Sequence, residues 1–410
     1  MAITVLQEPI QYTPVYNDIN YVLSSNQTAQ PNFNYIFDVI INGVTVSRHR
    51  IPARPDNGYG LFNAKRIAEN YVTQNFPYNN ITVLSASSSI LKINITYGEE
   101  YGTTLTYYAG STSPNVYCWT ASLDQPEWVD YTFVSKYRIM GSEIGISQLL
   151  TNNLAQRIKI TEKASVGALV GEIGAVTNIT VLAYNAAGTL IQTTYIKNPN
   201  DALLPGSTAA RFINIPAGAS NLNSILNVNL ESITQNQGNI IPSTTAYYII
   251  KTFGTGSAES IPVRFNIDTS CSKYESKRIY FLNKLGAYDA FTFDLLSREN
   301  NSIERKKYRR NVGGFSGSSY VYTDFQRANI IYDTQVSETM ILNSNWITEA
   351  ESAWLEELIS SPITYMETAS GIEVVNIVDT AYEVKKTVND KLFNLQITIE
   401  KSYIKTRQRG

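Results

Sequence analysis

Two alternating runs meet at a turn dipeptide early in the chain. Tyr35-Ile-Phe-Asp-Val-Ile-Ile-Asn42 runs into Asn42-Gly43, and Val44-Thr-Val-Ser-Arg-His-Arg-Ile51 runs out of it. Period-two alternation on both sides of Asn-Gly specifies a β-hairpin, because the favoured two-residue turns need positive φ and Asn and Gly supply it. The pattern recurs along the chain. Residues 90–97, 178–184, 188–196, 247–253, 263–267, 278–286, 290–296, 372–378 and 392–399 all read as short strands, separated by turn-forming residues. Asn185-Ala-Ala-Gly188 is a second hairpin loop. Short strands at close spacing, rich in Thr, Ile, Val and Tyr, predict a mainly β protein.

At about 150 residues per domain, 410 residues are enough for roughly three domains. We expect tandem β-sandwiches, immunoglobulin/fibronectin-like or jelly-roll-like, over 1–125 and 126–270. A C-terminal β-rich α+β domain with one or two short helices follows over 271–410. The best-defined helix begins at Thr348-Glu-Ala-Glu351, a capping box in which Thr caps and the Glu three residues on reaches back. Ala350, Trp354, Leu355, Leu358 and Ile359 follow at helical spacing, and Ser360-Ser-Pro362 ends the run. A second short helix is expected after Asn63, with Ile67 and Tyr71 sharing a buried face. Gly98-Glu-Glu-Tyr-Gly102 reads as a turn whose two carboxylates diverge. Trp119 and Trp128 bracket the turn at Asp124-Gln-Pro126 and are expected to pack a domain junction.

The chemistry-bearing residues are few. The single histidine, His49, stands between Arg48 and Arg50, which disfavours the protonated state that a general base must reach. It is expected to face solvent on its strand. Cys118 and Cys271 are 153 positions apart in different expected domains, so two free, buried thiols are expected rather than a disulfide. No G-x-S-x-G, H-E-x-x-H, C-x-x-C or Walker-type motif occurs. These observations lead us to expect no enzyme, no catalytic or metal-binding residue and no cofactor. The net charge of −2, from 33 Lys+Arg and 35 Asp+Glu, argues against bulk-charge binding of nucleic acid. No apolar run is long enough to span a membrane.

Charge is nevertheless uneven in the last region. Residues 273–310 hold ten basic and five acidic side chains, and residues 311–410 hold eight basic and thirteen acidic. The densest part is Glu304-Arg-Lys-Lys-Tyr-Arg-Arg310. Such asymmetry can align copies of a chain or meet an acidic partner; the simpler expectation is an exposed hairpin with a solvated tip. The candidate interface residues are Arg305, Lys306, Lys307, Arg309 and Arg310, with Trp346 and Trp354. Gly313-Gly-Phe-Ser-Gly317 reads as a hairpin tip rather than a phosphate cradle.

Several segments resemble virion structural proteins of tailed bacteriophages. They are Pro14–Tyr21, Ala29–Tyr35, Gly58–Asn63, Arg66–Val72, Tyr97–Gly102, Phe281–Phe293 and Trp346–Pro362. They span all three expected regions, and none is a catalytic motif. The resemblance implies a β-rich subunit of the tail, baseplate or neck that assembles in many copies in the host cytoplasm and ends in the virion. Its partners would be copies of itself and other virion proteins. The alternatives are a carbohydrate- or receptor-binding protein, virion-borne or free, which would meet a host surface glycan, and a head- or neck-associated decoration protein. A glycan-cleaving enzyme with an unmarked carboxylate pair is a further alternative.

Overall fold

The computed structural model describes residues 3–141, 144–172, 174–201, 211–234, 238–379 and 392–407. Strand outweighs helix by 49% to 12%, which makes the protein mainly β, with several sheets and few short helices. The chain forms two compact units. Unit 1 is Met1–Thr269 with Asn283–Asp289; unit 2 is Ser270–Leu282 with Ala290–Gly410.

Unit 1 contains two sandwich-like pairs of sheets. In the first, a three-stranded sheet of Thr4–Gln7, Asn20–Ser24 and Gly60–Asn63 faces a six-stranded sheet centred on Asn34–Ile41 and Ile90–Tyr101. Their inward rows, including Tyr21, Leu23, Phe37, Val39, Ile93 and Tyr97, form one buried cluster. Asn34–Ile41 and Val44–Pro52 pair antiparallel through the Asn42-Gly43 turn, where both residues have positive φ. In the second pair, Ser165–Val170 and Arg211–Pro216 belong to a four-stranded sheet that faces an eight-stranded one. Val166, Ala168 and Ile213 from the first meet Ile179, Val181 and Phe265 from the second in the largest core. Leu84–Ser85, from the first 125 residues, pairs with Arg211–Pro216 at the edge of this four-stranded sheet.

A third cluster in unit 1 is aromatic. Trp119, Phe133, Tyr137 and Phe212 are buried together with Leu285 and Ala287, and Trp128 packs against them. The loop Asn283–Asp289 is held by several groups: the Ser122 N–H donates to the Lys284 carbonyl at 2.8 Å, Lys284 pairs with Asp124 and Glu127 at 3.0 Å each, Thr151 Oγ1 donates to Asp289 Oδ2 at 3.1 Å, and Asn283 makes four bonds of its own. Asn283 donates to the Leu150 carbonyl at 2.9 Å and to Asp289 Oδ2 at 3.0 Å, and it accepts from the Leu285 and Ala287 N–H groups. Gly286 has φ +86°, and a Cβ there would lie 1.7 Å from the Thr120 carbonyl oxygen, so only glycine fits.

Several local expectations are corrected. Residues 98–101 are not a turn but the end of the strand Ile90–Tyr101, and Glu99 and Glu100 are both buried. Their side chains do diverge: Glu99 accepts from Ser25 Oγ at 2.7 Å, and Glu100 pairs with Arg50 at 2.7 Å. Glycine and two carboxylates read as a turn, yet pairing on both edges and a guanidinium partner keep them in the sheet. His49 does not face solvent freely; it is half-buried with its ring 4.9 Å from that of Phe62. The helix after Asn63 is one turn, Lys65–Ala68, continued as a 3-10 turn, and Tyr71 is exposed rather than paired with Ile67. Both thiols are free, but Cys271 is exposed; only Cys118 is buried, and burial pushes its ionisation well above the ordinary thiol range.

Unit 2 is one large sheet with a helix against it. The strand order is Tyr288–Phe293, Lys277–Leu282, Thr364–Thr368, Gly371–Ile377, Gln396–Lys401, Asn329–Asn343 and Arg298–Arg309. The helix is Glu349–Ser360, with both halves of the capping box formed between Thr348 and Glu351. Trp354, Leu355 and Leu358 bury its inner face against Phe281, Ile279 and Phe293.

Asn283→Ala leaves two N–H groups and the Leu150 carbonyl without their partner. It is expected to destabilise unit 1 by about 2–4 kcal/mol in urea unfolding; a change under about 0.5 kcal/mol would show that the loop's other hydrogen bonds and ion pairs hold it without Asn283.

Candidate interaction surface

The strand Arg298–Arg309 is the edge of the unit 2 sheet, and all twelve of its residues are exposed. Among the described residues its only neighbour is Asn329–Asn343, antiparallel, from Arg298↔Ile341 to Arg309↔Asn329. The longer strand changes character along its length. From Gln335 onward it pairs on its second edge too, with Lys405–Thr406 and then with Gln396–Glu400. Its buried side chains, Val336, Met340 and Leu342, all lie in this part. Among the described residues, 329–333 pair in the ladder with the basic strand alone, and the Thr334 carbonyl accepts from the Arg407 N–H at 3.1 Å. The result is a two-stranded ribbon, anchored at its base and bare at its far end.

The base is fastened by charge. Glu338 accepts from Lys405 and lies 3.3 Å from Lys401, which also reaches Glu373 at 3.3 Å. The Lys405 ammonium holds the Glu338 carboxyl below the usual glutamate range, against the opposing effect of partial burial.

The far end carries the basic run. Alternation places Arg305, Lys307 and Arg309 on one face and Lys306 and Tyr308 on the other, and Arg310 follows just past the strand's end. A register shift between Lys306 and Lys307 adds a local twist. Lys306 pairs with Asp333 at 3.5 Å. Among the described residues no carboxylate pairs with Arg305, Lys307, Arg309, Arg310 or Arg327.

Beyond the run, the strands Gly314–Ser316 and Ser319–Val321 make a small second hairpin. Gly313 has φ +102°, and a Cβ there would meet the Tyr320 ring at 2.3 Å. Tyr320 donates to the Val312 carbonyl at 2.9 Å and stacks edge-on to Phe315 and Tyr322. Phe315 is 79% exposed and Phe325 85%. Tyr308, Tyr322 and Tyr332 are also exposed. Scattered surface aromatics are ordinary, but several gathered on one slender element mark an interaction surface. Free cations along an edge strand also deter strand-to-strand addition by another chain, because each must lose solvent to admit it. A partner would therefore dock on side chains.

The structure separates the sequence candidates. Arg305, Lys306, Lys307, Arg309 and Arg310 share the far ribbon. Trp346 is 58% exposed but lies past the base of the ribbon, at the end of the Asn329–Asn343 strand. From Asn343 to Thr334, opposite Arg305, the strand runs roughly 30 Å. Trp354 is corrected: it is 5% exposed and packs 5.4 Å from Phe281, so it belongs to the core and not to an interface. An amphipathic helix buries its tryptophan when the ring lies on the apolar row. The aromatics Phe315, Tyr322 and Phe325 were not among the candidates; the signal for them is their position around a glycine-rich tip that has no apolar row to bury them.

No family model matches the chain, and no curated protein matches it. Among solved structures it is similar to the full extracellular region of plexin A4, domains 1 to 10, with 10% identity, 97% of this chain covered and a TM-score of 0.16. The chain spans 34% of that structure's length. A likeness this low carries no argument. Among the described residues no helix is long and apolar enough to cross a membrane.

The Glu338 pairs stabilise the ribbon base at neutral pH, because the folded-state carboxyl ionises below its ordinary value. That stabilisation is expected to be complete above the ordinary glutamate value and to fall as the pH drops through the lower folded value. Thermal melts of the native chain should therefore lose stability on acidification more steeply than those of Glu338→Gln; parallel curves would remove Glu338 as the fastening.

Proposed function

We propose that this chain is a structural subunit of a tailed-bacteriophage virion, in the tail or baseplate, and that it works by protein–protein assembly. The ribbon is the arm that meets a neighbouring subunit. One observation carries this reading: an element of unit 2 ends in unpaired cations and bare aromatics that nothing among the described residues covers. Aromatic and arginine side chains are the groups that dominate binding energy at protein interfaces. The segments resembling phage virion proteins, including Phe281–Phe293 and Trp346–Pro362 in this region, support the same reading. The neighbours are copies of this chain and other virion proteins.

A second reading draws on the same tip. Exposed Tyr322 and Phe325 offer flat faces on which a sugar could stack, as a virion-borne receptor-binding protein would require.

Light scattering on the purified chain at low and moderate salt tests the first reading. A defined oligomer is expected, loosening as salt rises. The triple substitution R305E/K307E/R309E is expected to leave a folded monomer. A monomer at every salt concentration, or an oligomer indifferent to the substitution, contradicts assembly through the ribbon. Glycan binding lost in Phe325→Ala would then favour the second reading.

A further inference from the structure

Unit 2 carries two exposed surfaces of opposite charge. One is the far ribbon, with Arg305, Lys307 and Arg309 on one face and Phe315 and Phe325 bare beyond them. The other is the outer face of the helix Glu349–Ser360. That helix holds four carboxylates and no cation. Glu351 is engaged in the capping box. Glu349 and Glu356 are exposed, on the side opposite the buried Trp354, Leu355 and Leu358. Among the described residues no cation pairs with Glu349 or Glu356.

These carboxylates are placed at a cost. The carbonyl end of a helix dipole repels negative charge. Glu356 and Glu357 lie toward that end, and no basic residue stands in the last turn. Glu349 and Glu356 are two helical turns apart and share a face, with Ala353 between them. Ala350 and Ala353 are exposed, and Trp346, just before the helix, is exposed as well. The outer face is therefore a low apolar strip flanked by carboxylates, which a cationic and aromatic surface would complete.

The ribbon has that chemistry and a similar span. Arg305 and Arg309 are roughly 13 Å apart along their strand, and Glu349 and Glu356 roughly 10 Å apart along the helix. Within one molecule the two surfaces stay apart. The helix packs on Lys277–Leu282, which lies four strand positions, roughly 19 Å, from Asn329–Asn343 in the sheet. The chain also enters the helix from Asn343, the end of that strand opposite the bare tip. We propose that the ribbon of one molecule docks on the outer helix face of a second copy of this chain. Arg305, Lys307 and Arg309 meet Glu349 and Glu356, and the tip aromatics lie against Trp346, Ala350 and Ala353. The contact is head to tail, so each molecule keeps one arm and one face for the next, and copies build a ring or a filament. This rests on the reading of the ribbon as the assembling arm, and names what the arm meets.

Light scattering at low salt on two charge-reversed variants tests it. R305E/K307E/R309E reverses the arm, and E349K/E356K reverses the face. Each alone is expected to be a monomer, because its two surfaces then carry the same sign. Mixed in equal amounts they are expected to associate to about twice the monomer mass or more, since each supplies what the other has reversed. Association on mixing also shows that both are folded. The unsubstituted chain gives an independent reading. A carbodiimide joins an amine to a carboxylate in contact with it. In the oligomer it should link Lys307 of one molecule to Glu349 or Glu356 of another, seen between isotope-labelled and unlabelled chains. Three results would each overturn the helix face as the partner while leaving the ribbon as the arm. They are an oligomer lost in R305E/K307E/R309E but unchanged in E349K/E356K, folded variants that stay monomeric when mixed, and Lys307 cross-links to other carboxylates only. A native chain that is monomeric at every salt concentration removes both.

Discussion

The ribbon exists because one strand is buried for part of its length and bare for the rest. Val336, Met340 and Leu342 commit the second half of Asn329–Asn343 to the core of unit 2. Alternation then fixes which face of every other residue in the strand points outward, because a slip of one residue would turn all three into solvent. The register carries this constraint across to Arg298–Arg309 and so to the basic run. The positions of Arg305, Lys307 and Arg309 on one face are set by apolar side chains several residues away on a different strand. The same burial stops at Val336; among the described residues the far end beyond it is held by ladder hydrogen bonds, the Lys306–Asp333 pair and the Tyr308–Tyr332 ring contact. An isolated two-stranded ribbon is marginal in water. Its cations and aromatics gain most when a second surface covers them.

Unit 1 solves a different problem. Its sandwiches enclose their apolar rows well, and the polar groups trapped with them are mostly completed. Asp38 meets Arg48 from the adjacent strand, Glu100 meets Arg50 from the next strand but one, and Asn283 satisfies two N–H groups and a carbonyl of its loop and wall.

Much of this was legible in the sequence where local chemistry decides the outcome. Asn42-Gly43 forces its turn, and Thr348 with Glu351 forces a helix start, because backbone geometry and capping need only near neighbours. The mainly β class followed from alternation. What could not be read depends on partners distant in sequence. Glu99 and Glu100 look like a turn until Arg50 and Ser25 are brought beside them. Trp354 falls on the apolar row that the helical spacing already marks and is core, so its place among the interface candidates ran against that row; nothing local decides that Trp346 is surface. His49 reads as a wet strand residue because Phe62 is not visible from its own strand. The Tyr97–Glu8 hydrogen bond joins residues 89 positions apart, and no local spacing announces it.

The central claim is that the far ribbon is bare in the single chain and covered in an assembly. Amide hydrogen exchange measured on the isolated chain and on the assembled form tests it most directly. The account predicts slow exchange at residues 335–343 in both states. At residues 305–310 and 329–334 it predicts fast exchange in the isolated chain, slowing sharply on assembly. Equal protection along the whole ribbon in the isolated chain, or a far end that stays fast in the assembly, would contradict it.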